Sequence, residues 1–345
     1  MAKGKTGEGR AAKSGSGSQS VVDFKDEAEY ERHVGEEIRE ASEALGQDGR
    51  DREIGQSWKF ASKIIQEFKP VPWVIWRIVR GVYGRVGRLN SIGAGAYISI
   101  DRLIYRALKD PTLGGEYSND SDHQDVPLDE AIDALGDDVS AAVCLVHAVS
   151  RRIQNSLADK VSAPLIEDAM LRAKIGFYLG AAAKNFGKGR GMLAGFSGRS
   201  GLTILIASGT TEKAQEALLL MARGVDIRNV GLKVYDCEPL QVSALALTAA
   251  GCNREAAFGT ASYSNATTRA EISPESEAAR WLAAFVITEN IRMGTAELIE
   301  DEHWGVLGLS SAASREEVLK HSRLLQRRGH GWDWMARSQS EMSQE

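Results

Sequence analysis

Apolar residues in this chain recur three and four positions apart, and nowhere sustain the alternation rich in Val, Ile and Tyr that a half-buried strand requires. Phe60, Ile64, Ile65 and Phe68 set the helical pattern until Pro70 and Pro72 interrupt it. Leu128, Ile132 and Leu135 repeat it between Pro127, which opens that helix, and Gly136, which closes it. Pro164 opens a longer helix carrying Ile166, Met170, Ala173 and Phe177. Thr211, Asp226, Asn253, Ser273 and Ser314 stand where N-caps belong, the last with Glu317 completing a capping box, and Pro239 takes a first-turn position. The pattern predicts an all-α, multi-helix domain over residues 57–335.

The flanks read differently. Residues 1–20 are Gly, Ser, Ala and Lys with almost nothing to bury, and are expected to form a disordered basic tail; residues 336–345 are expected to be disordered too. Residues 21–56 scatter Val22, Phe24, Tyr30, Val34, Ile38 and Leu45 among many acids. They read as a solvated acidic linker or a marginal helix, with docking onto a partner or onto the chain's own core as the functional alternative.

Bulk properties exclude several classes. Hydrophobic residues make up 43% and charged residues 26%, as in globular domains, and a net charge of −5 gives no whole-molecule attraction to nucleic acid. Cys144, Cys237 and Cys252 are odd in number and form no C-x-x-C, so buried thiols in a reducing cytoplasm are expected, not a disulfide framework or zinc site. The most apolar stretch, Gly201 to Ala207, is too short to cross a bilayer, and no apolar core follows the N-terminal lysines, so no leader and no membrane span is expected.

Chemistry-bearing motifs are scarce. Gly187-Lys-Gly-Arg-Gly191 resembles a phosphate loop, but Lys188 precedes Gly189 where Ser or Thr is needed, and no strand leads into it. Gly191, Gly195, Gly198 and Gly201 instead suit a buried helix approached closely by its neighbours. None of the six histidines has a second at i+3 or i+4, and His147, in an apolar helix, reads as a hydrogen-bonded core residue. Ser197 lacks a G-x-S-x-G elbow, and no acid/base pair emerges. Arg77, Arg80, Arg85 and Arg88 flank the apolar surface of Trp73, Trp76 and Ile78, either snorkelling at a surface or forming a patch for an anionic partner.

Several segments, in order, are similar to one family. Pro70-Val-Pro-Trp-Val-Ile-Trp-Arg-Ile78 resembles the prolines-then-helix opening of HDOD domains, the HD-related output domains of bacterial signalling proteins. Leu108-Lys-Asp-Pro-Thr-Leu113 is similar to their I-x-x-D-P-x-L segment, and Pro127-Leu-Asp-Glu-Ala-Ile-Asp-Ala-Leu-Gly136 to S-L-x-x-A-I-x-x-L-G. Ala194-Gly-Phe-Ser-Gly-Arg-Ser-Gly-Leu-Thr-Ile-Leu205 looks like A-G-L-L-H-D-I-G-x-L-x-L, Pro239-Leu-Gln-Val-Ser-Ala244 like E-x-x-V-G-A, and Leu307-Gly-Leu309 like the closing L-G-L.

The resemblance covers about four-fifths of the chain, from Trp58 to Trp334, and implies an HD-like helical scaffold in a regulatory protein. Two departures stand out. The family's metal-binding His-Asp falls on Gly198-Arg199 and its earlier His-Ser near Lys174-Ile175, so no cofactor metal and no catalysis are implied. A polar loop, residues 114–125, replaces the N-x-A-x-Y helix. A cation at Arg199 could stand in for the lost ion or bind a phosphate, but solvent exposure of Arg199 and Lys174 is expected from their residue types. The implied protein is a non-catalytic signal-transduction module, a pseudoenzyme that binds protein partners or a small phosphorylated signal. Two other readings are a DNA-binding regulator using the Arg77 to Arg106 face and a divergent metal-dependent HD phosphohydrolase.

Overall fold

The computed structural model describes residues 24, 26–46, 52–83, 98–119, 126–156, 159–265 and 269–335. Among them every regular element is a helix and none is a strand. The tail at 1–20 and the C-terminal residues 336–345 lie outside the described residues, as do Arg85 and Arg88.

A pair of long helices, α7 (Asp159–Ala182) and α8 (Lys188–Ser208), forms the axis of the molecule. They run antiparallel, because Gly180 meets Gly187, Gly176 meets Gly191 and Arg172 meets Gly195 along one seam. An added Cβ at Gly176, Gly191 or Gly195 would collide with a backbone carbonyl across that seam. Glycine is therefore a packing requirement there. α8 is buried on nearly every side, from Gly189 through Ile206 with only Arg190 and Arg199 reaching the rim, which is why its apolar residues show no single stripe.

Four helices surround this axis: α6 (Asp137–Gln154), α11 (Pro239–Ala249), α13 (Glu277–Met293) and α15 (Ala312–Arg328). Ser243 pins α11 to α8, donating its hydroxyl to the Ser197 carbonyl at 2.6 Å and accepting the Gly201 amide at 2.9 Å. The outer elements are α3 (Trp73–Tyr83) on α6, α4 (Ile98–Lys109) with α5 (Leu128–Leu135), and α12 (Arg254–Ala261) on α11 and α13. The short helices α9 (Thr211–Ala222), α10 (Ile227–Tyr235) and α14 (Asp301–Val306) close the connections.

Within the acidic N-terminal segment, residues 27–46 and 52–56 are helical, as the helix alternative of the sequence reading has it. Glu27–Gly46 forms α1, and Tyr30, Val34, Ile38, Ser42 and Leu45 are buried at intervals of three and four. It packs on α2 (Arg52–Phe68) and α11, so the helical body begins before residue 57. Tyr30 donates to the Val71 carbonyl at 3.2 Å, and its ring meets Trp76 edge-on. The acids occupy the outer face while every fourth position feeds the core, which accounts for a helix where net charge alone suggested a linker.

Local signals hold with small shifts. Asp226 and Asn253 cap their helices, Gly136 ends α5 with φ 83°, and Pro239 opens α11. Three caps sit near their expected places: Thr210 in place of Thr211, Ser276 in place of Ser273 and Ser311 in place of Ser314, each accepting the amide three residues on. Pro164 lies within α7 instead of opening it. Part of the polar loop after the D-P-x-L turn is a 3-10 turn, Gly115–Asn119.

Candidate functional site

The Gly198-Arg199 position of α8 faces the middle of α7 and the closing half of α13. Arg199 is not in solvent. Its Nε donates to Asp168 Oδ2 at 2.6 Å, and its side chain is 11% exposed. Arg172, one turn after Asp168 on α7, donates its Nε to the same oxygen at 2.9 Å and pairs through Nη1 with Glu289. Arg292, one turn after Glu289 on α13, donates its Nε to Asp168 Oδ1 at 2.6 Å. Gly198 lies over this cluster: a Cβ there would sit 3.5 Å from Arg172 Cδ and 3.6 Å from Glu289 Oε2, an ordinary contact.

Three guanidinium groups thus converge on two carboxylates, leaving one positive charge in excess. Arg172 is only 1% exposed, and its Nη2 is buried with no hydrogen-bond partner among the described residues. Burial pushes the Asp168 carboxyl up, but Arg172, Arg199 and Arg292 outweigh it and hold the group below the ordinary 3.8. Burial and the adjacent Arg172 charge pull Arg199 below the usual guanidinium range, against Asp168 and Glu289. Arg199 and Arg292 engage Asp168 through Nε, Arg199 Nη1 reaches only the Gly198 carbonyl at 3.5 Å, and Arg292, 36% exposed, lies at the rim. The site offers fixed N–H donors and positive potential at an accessible edge, the arrangement that takes an oxyanion. Among the described residues, the cluster's contacts include no imidazole or thiolate.

Lys174 belongs elsewhere. Six residues beyond Asp168 on α7, it leaves another face of the helix, donates Nζ to the His330 carbonyl at 2.6 Å and lies 5.0 Å from the centre of the Trp332 ring. Buried rather than exposed, it fastens residues 329–335 to the core. Trp334 Nε1 adds a bond to Asp110 Oδ2 at 3.3 Å, and His147 Nδ1 one to the Met335 carbonyl at 2.6 Å. His147 is hydrogen-bonded as expected, through Nδ1, but half-buried. No bond joins Lys174 to the Gly198-Arg199 cluster, although the resemblance places all three in one pocket.

Among the described residues one trio could face a common ion: Glu167, His330 and Asp333. Its hydrogen bonds argue against that use. His330 Nδ1 accepts the Trp332 amide at 2.9 Å, so the neutral ring carries its proton on Nε2 and donates to Glu167 at 2.7 Å. A metal at Nε2 would need the other tautomer and would break the Trp332 bond.

Arg77 and Arg80, the two described members of the arginine flank, both lie over tryptophan rings. Arg77 lies 5.5 Å over Trp73, and Arg80 lies 5.1 Å over Trp76 while pairing with Glu37 of α1 at 2.6 Å. The acidic helix has thus neutralised the described part of the arginine flank that carries Arg80. Ser197 donates its hydroxyl to the Ala194 carbonyl at 2.7 Å inside the core, away from any base. Cys144, Cys237 and Cys252 are buried and free, with burial pushing each thiol up to about 12. No described helix is long and apolar enough to cross a membrane.

Sequence reasoning found Gly198 and Arg199 but missed Asp168, Arg172, Glu289 and Arg292. A local signal was present: Asp168 and Arg172 sit at i, i+4 and Glu289 and Arg292 at i, i+3, the spacing of an intrahelical ion pair. Comparison with family models, curated proteins and solved structures returned no match for this chain.

Proposed function

We propose that this chain is a non-catalytic regulatory module on an HD-like helical scaffold, and that it binds a small phosphorylated signal at the Arg172–Arg199–Arg292 cluster. The observation that carries the reading is the excess guanidinium charge at the position where the resembling family holds its metal. Where a hydrolase uses a cation to gather phosphate oxygens, fixed guanidinium groups do the same without activating a water. Asp168 holds the three arginines against their mutual repulsion and orients their forks. The ligand changes the charge balance where α7, α8 and α13 meet, and a protein partner reads the outcome, since the chain has no receiver, kinase or cyclase signature of its own.

Calorimetric titration of the full chain with inorganic phosphate and adenosine monophosphate tests this. Saturable binding weakened about tenfold or more by Arg199→Met or Arg292→Met supports the reading, since a charge-assisted bond contributes about 1.5–3 kcal/mol. Equal affinity in wild type and both variants counts against it. Manganese-dependent hydrolysis of a phosphodiester by the purified protein would replace it with the phosphohydrolase reading. A DNA-binding face is less well supported, because Arg80 is already paired with Glu37.

A further inference from the structure

A concavity sharing no residue with the guanidinium cluster opens between α1, the Lys69–Pro72 link, α4 and the end of α6. Its volume is about 810 Å³, within the range of roughly 300–1,000 Å³ that small-molecule sites occupy. Ile38, Ile65, Ile75, Ile100 and Leu103 line its walls, all buried side chains of four different helices. A cleft this apolar would be unremarkable if its polar end were neutral.

It is not neutral. The lining includes Arg32, Lys69, Arg151 and Arg152 against Glu27 and Glu31, a surplus of two positive charges. Lys69 is paired with Glu31, and Arg152 is committed to Phe68, donating Nε to its carbonyl at 2.9 Å and stacking over its ring at 5.5 Å. Arg151, half-buried, has neither an acidic partner nor a side-chain hydrogen bond among the described residues, and its Nη1 is shut off from water. A buried guanidinium nitrogen left unmet is costly, so a ligand acceptor there is favourable.

One turn before Arg151, His147 also lines the cleft. Its Nδ1–H donates to the Met335 carbonyl, so Nε2 is a lone pair. Burial lowers its pKa against the Met335 bond, and Arg151 lowers it further. Both effects disfavour a second positive charge beside Arg151. The polar end therefore presents one unmet cationic donor, Arg151, above a hydrocarbon wall.

We infer that this cleft binds a small amphipathic carboxylate, an acyl chain of medium length whose head group meets Arg151 and whose body lies against Ile38, Ile65 and Leu103. The inference is independent of phosphate binding at the Arg199 cluster. Because α1 forms one wall through Val34 and Ile38, such a ligand would also touch the acidic N-terminal helix.

Calorimetric titration of the full chain with decanoate is the test, with decanol as the uncharged counterpart. The expected result is saturable one-to-one binding of decanoate, at least tenfold weaker binding of decanol, and Arg151→Met lowering decanoate to the decanol level. Ala148→Trp, which adds bulk from the half-buried wall of α6, should abolish both. Arg199→Met should leave decanoate affinity unchanged, so failure at either site is told apart from failure at the other. Circular dichroism and the thermal midpoint establish that each variant is folded. No saturable decanoate binding to wild type, unchanged affinity in folded Arg151→Met, or competition by inorganic phosphate would each overturn the inference.

Discussion

At the scale of single residues, the glycines of α8 separate two roles that look alike in sequence. Gly195 faces the Arg172 carbonyl across the α7–α8 seam, whereas Gly198 looks onto the Arg172 side chain with room to spare. Gly195→Ala is expected to cost about 3 kcal/mol or more, as overpacking against backbone does, and Gly198→Ala less than about 1 kcal/mol. Chemical denaturation of the two variants checks this, and equal losses would refute the distinction. Asp168 offers a pH-dependent counterpart. Its folded pKa lies below the ordinary 3.8, so its contribution is fully present above that value and is lost as pH falls through the folded pKa. Asp168→Asn leaves three guanidiniums with only Glu289 and should destabilise by roughly 3–5 kcal/mol near neutrality. The gap to wild type should narrow below pH ~3.8 and close under stronger acid. Stability curves that stay parallel down to pH 2 would contradict the role given to this carboxylate.

Among the elements, α1 changes the picture of the molecule most. Its acids gave the sequence the look of a linker, yet the buried ladder Tyr30, Val34, Ile38 and Leu45 makes it a wall of both the core and the cleft. Ile38→Ala is expected to cost about 2–4 kcal/mol, as for other buried isoleucines, and to raise amide exchange throughout α1. A change below about 0.5 kcal/mol would return the segment to linker status. The apolar periodicity was legible all along; what outweighed it was composition, because net charge says nothing about which face carries it. Helix ends were legible for a different reason: Asp226, Asn253, Gly136 and Pro239 act through local bonds and dihedral limits that need no tertiary contact. Ser276 and Ser311 displaced nearby serines because several candidates lay within one turn, and packing chose among them.

For the whole molecule, the all-α class followed from periodicity, but the site did not. Arg199 stood out through its place in a motif, while its partners lie far off in sequence, Arg292 being 124 residues from Asp168 and Glu289 117 from Arg172. Only the packing of α7, α8 and α13 brings them together. Lys174 shows the converse: adjacent to the cluster in an aligned pattern, it is turned by the helical register toward His330 and Trp332. A scaffold whose family resemblance points to a metal pocket thus carries guanidinium groups with unclaimed donors. A crystal structure of the full chain equilibrated with inorganic phosphate and manganese tests that substitution most directly. The predicted result is tetrahedral density bonded to the terminal nitrogens of Arg199 and Arg292, lost in Arg199→Met crystals. An empty cluster at saturating phosphate, or manganese held by protein ligands at that position, would contradict it.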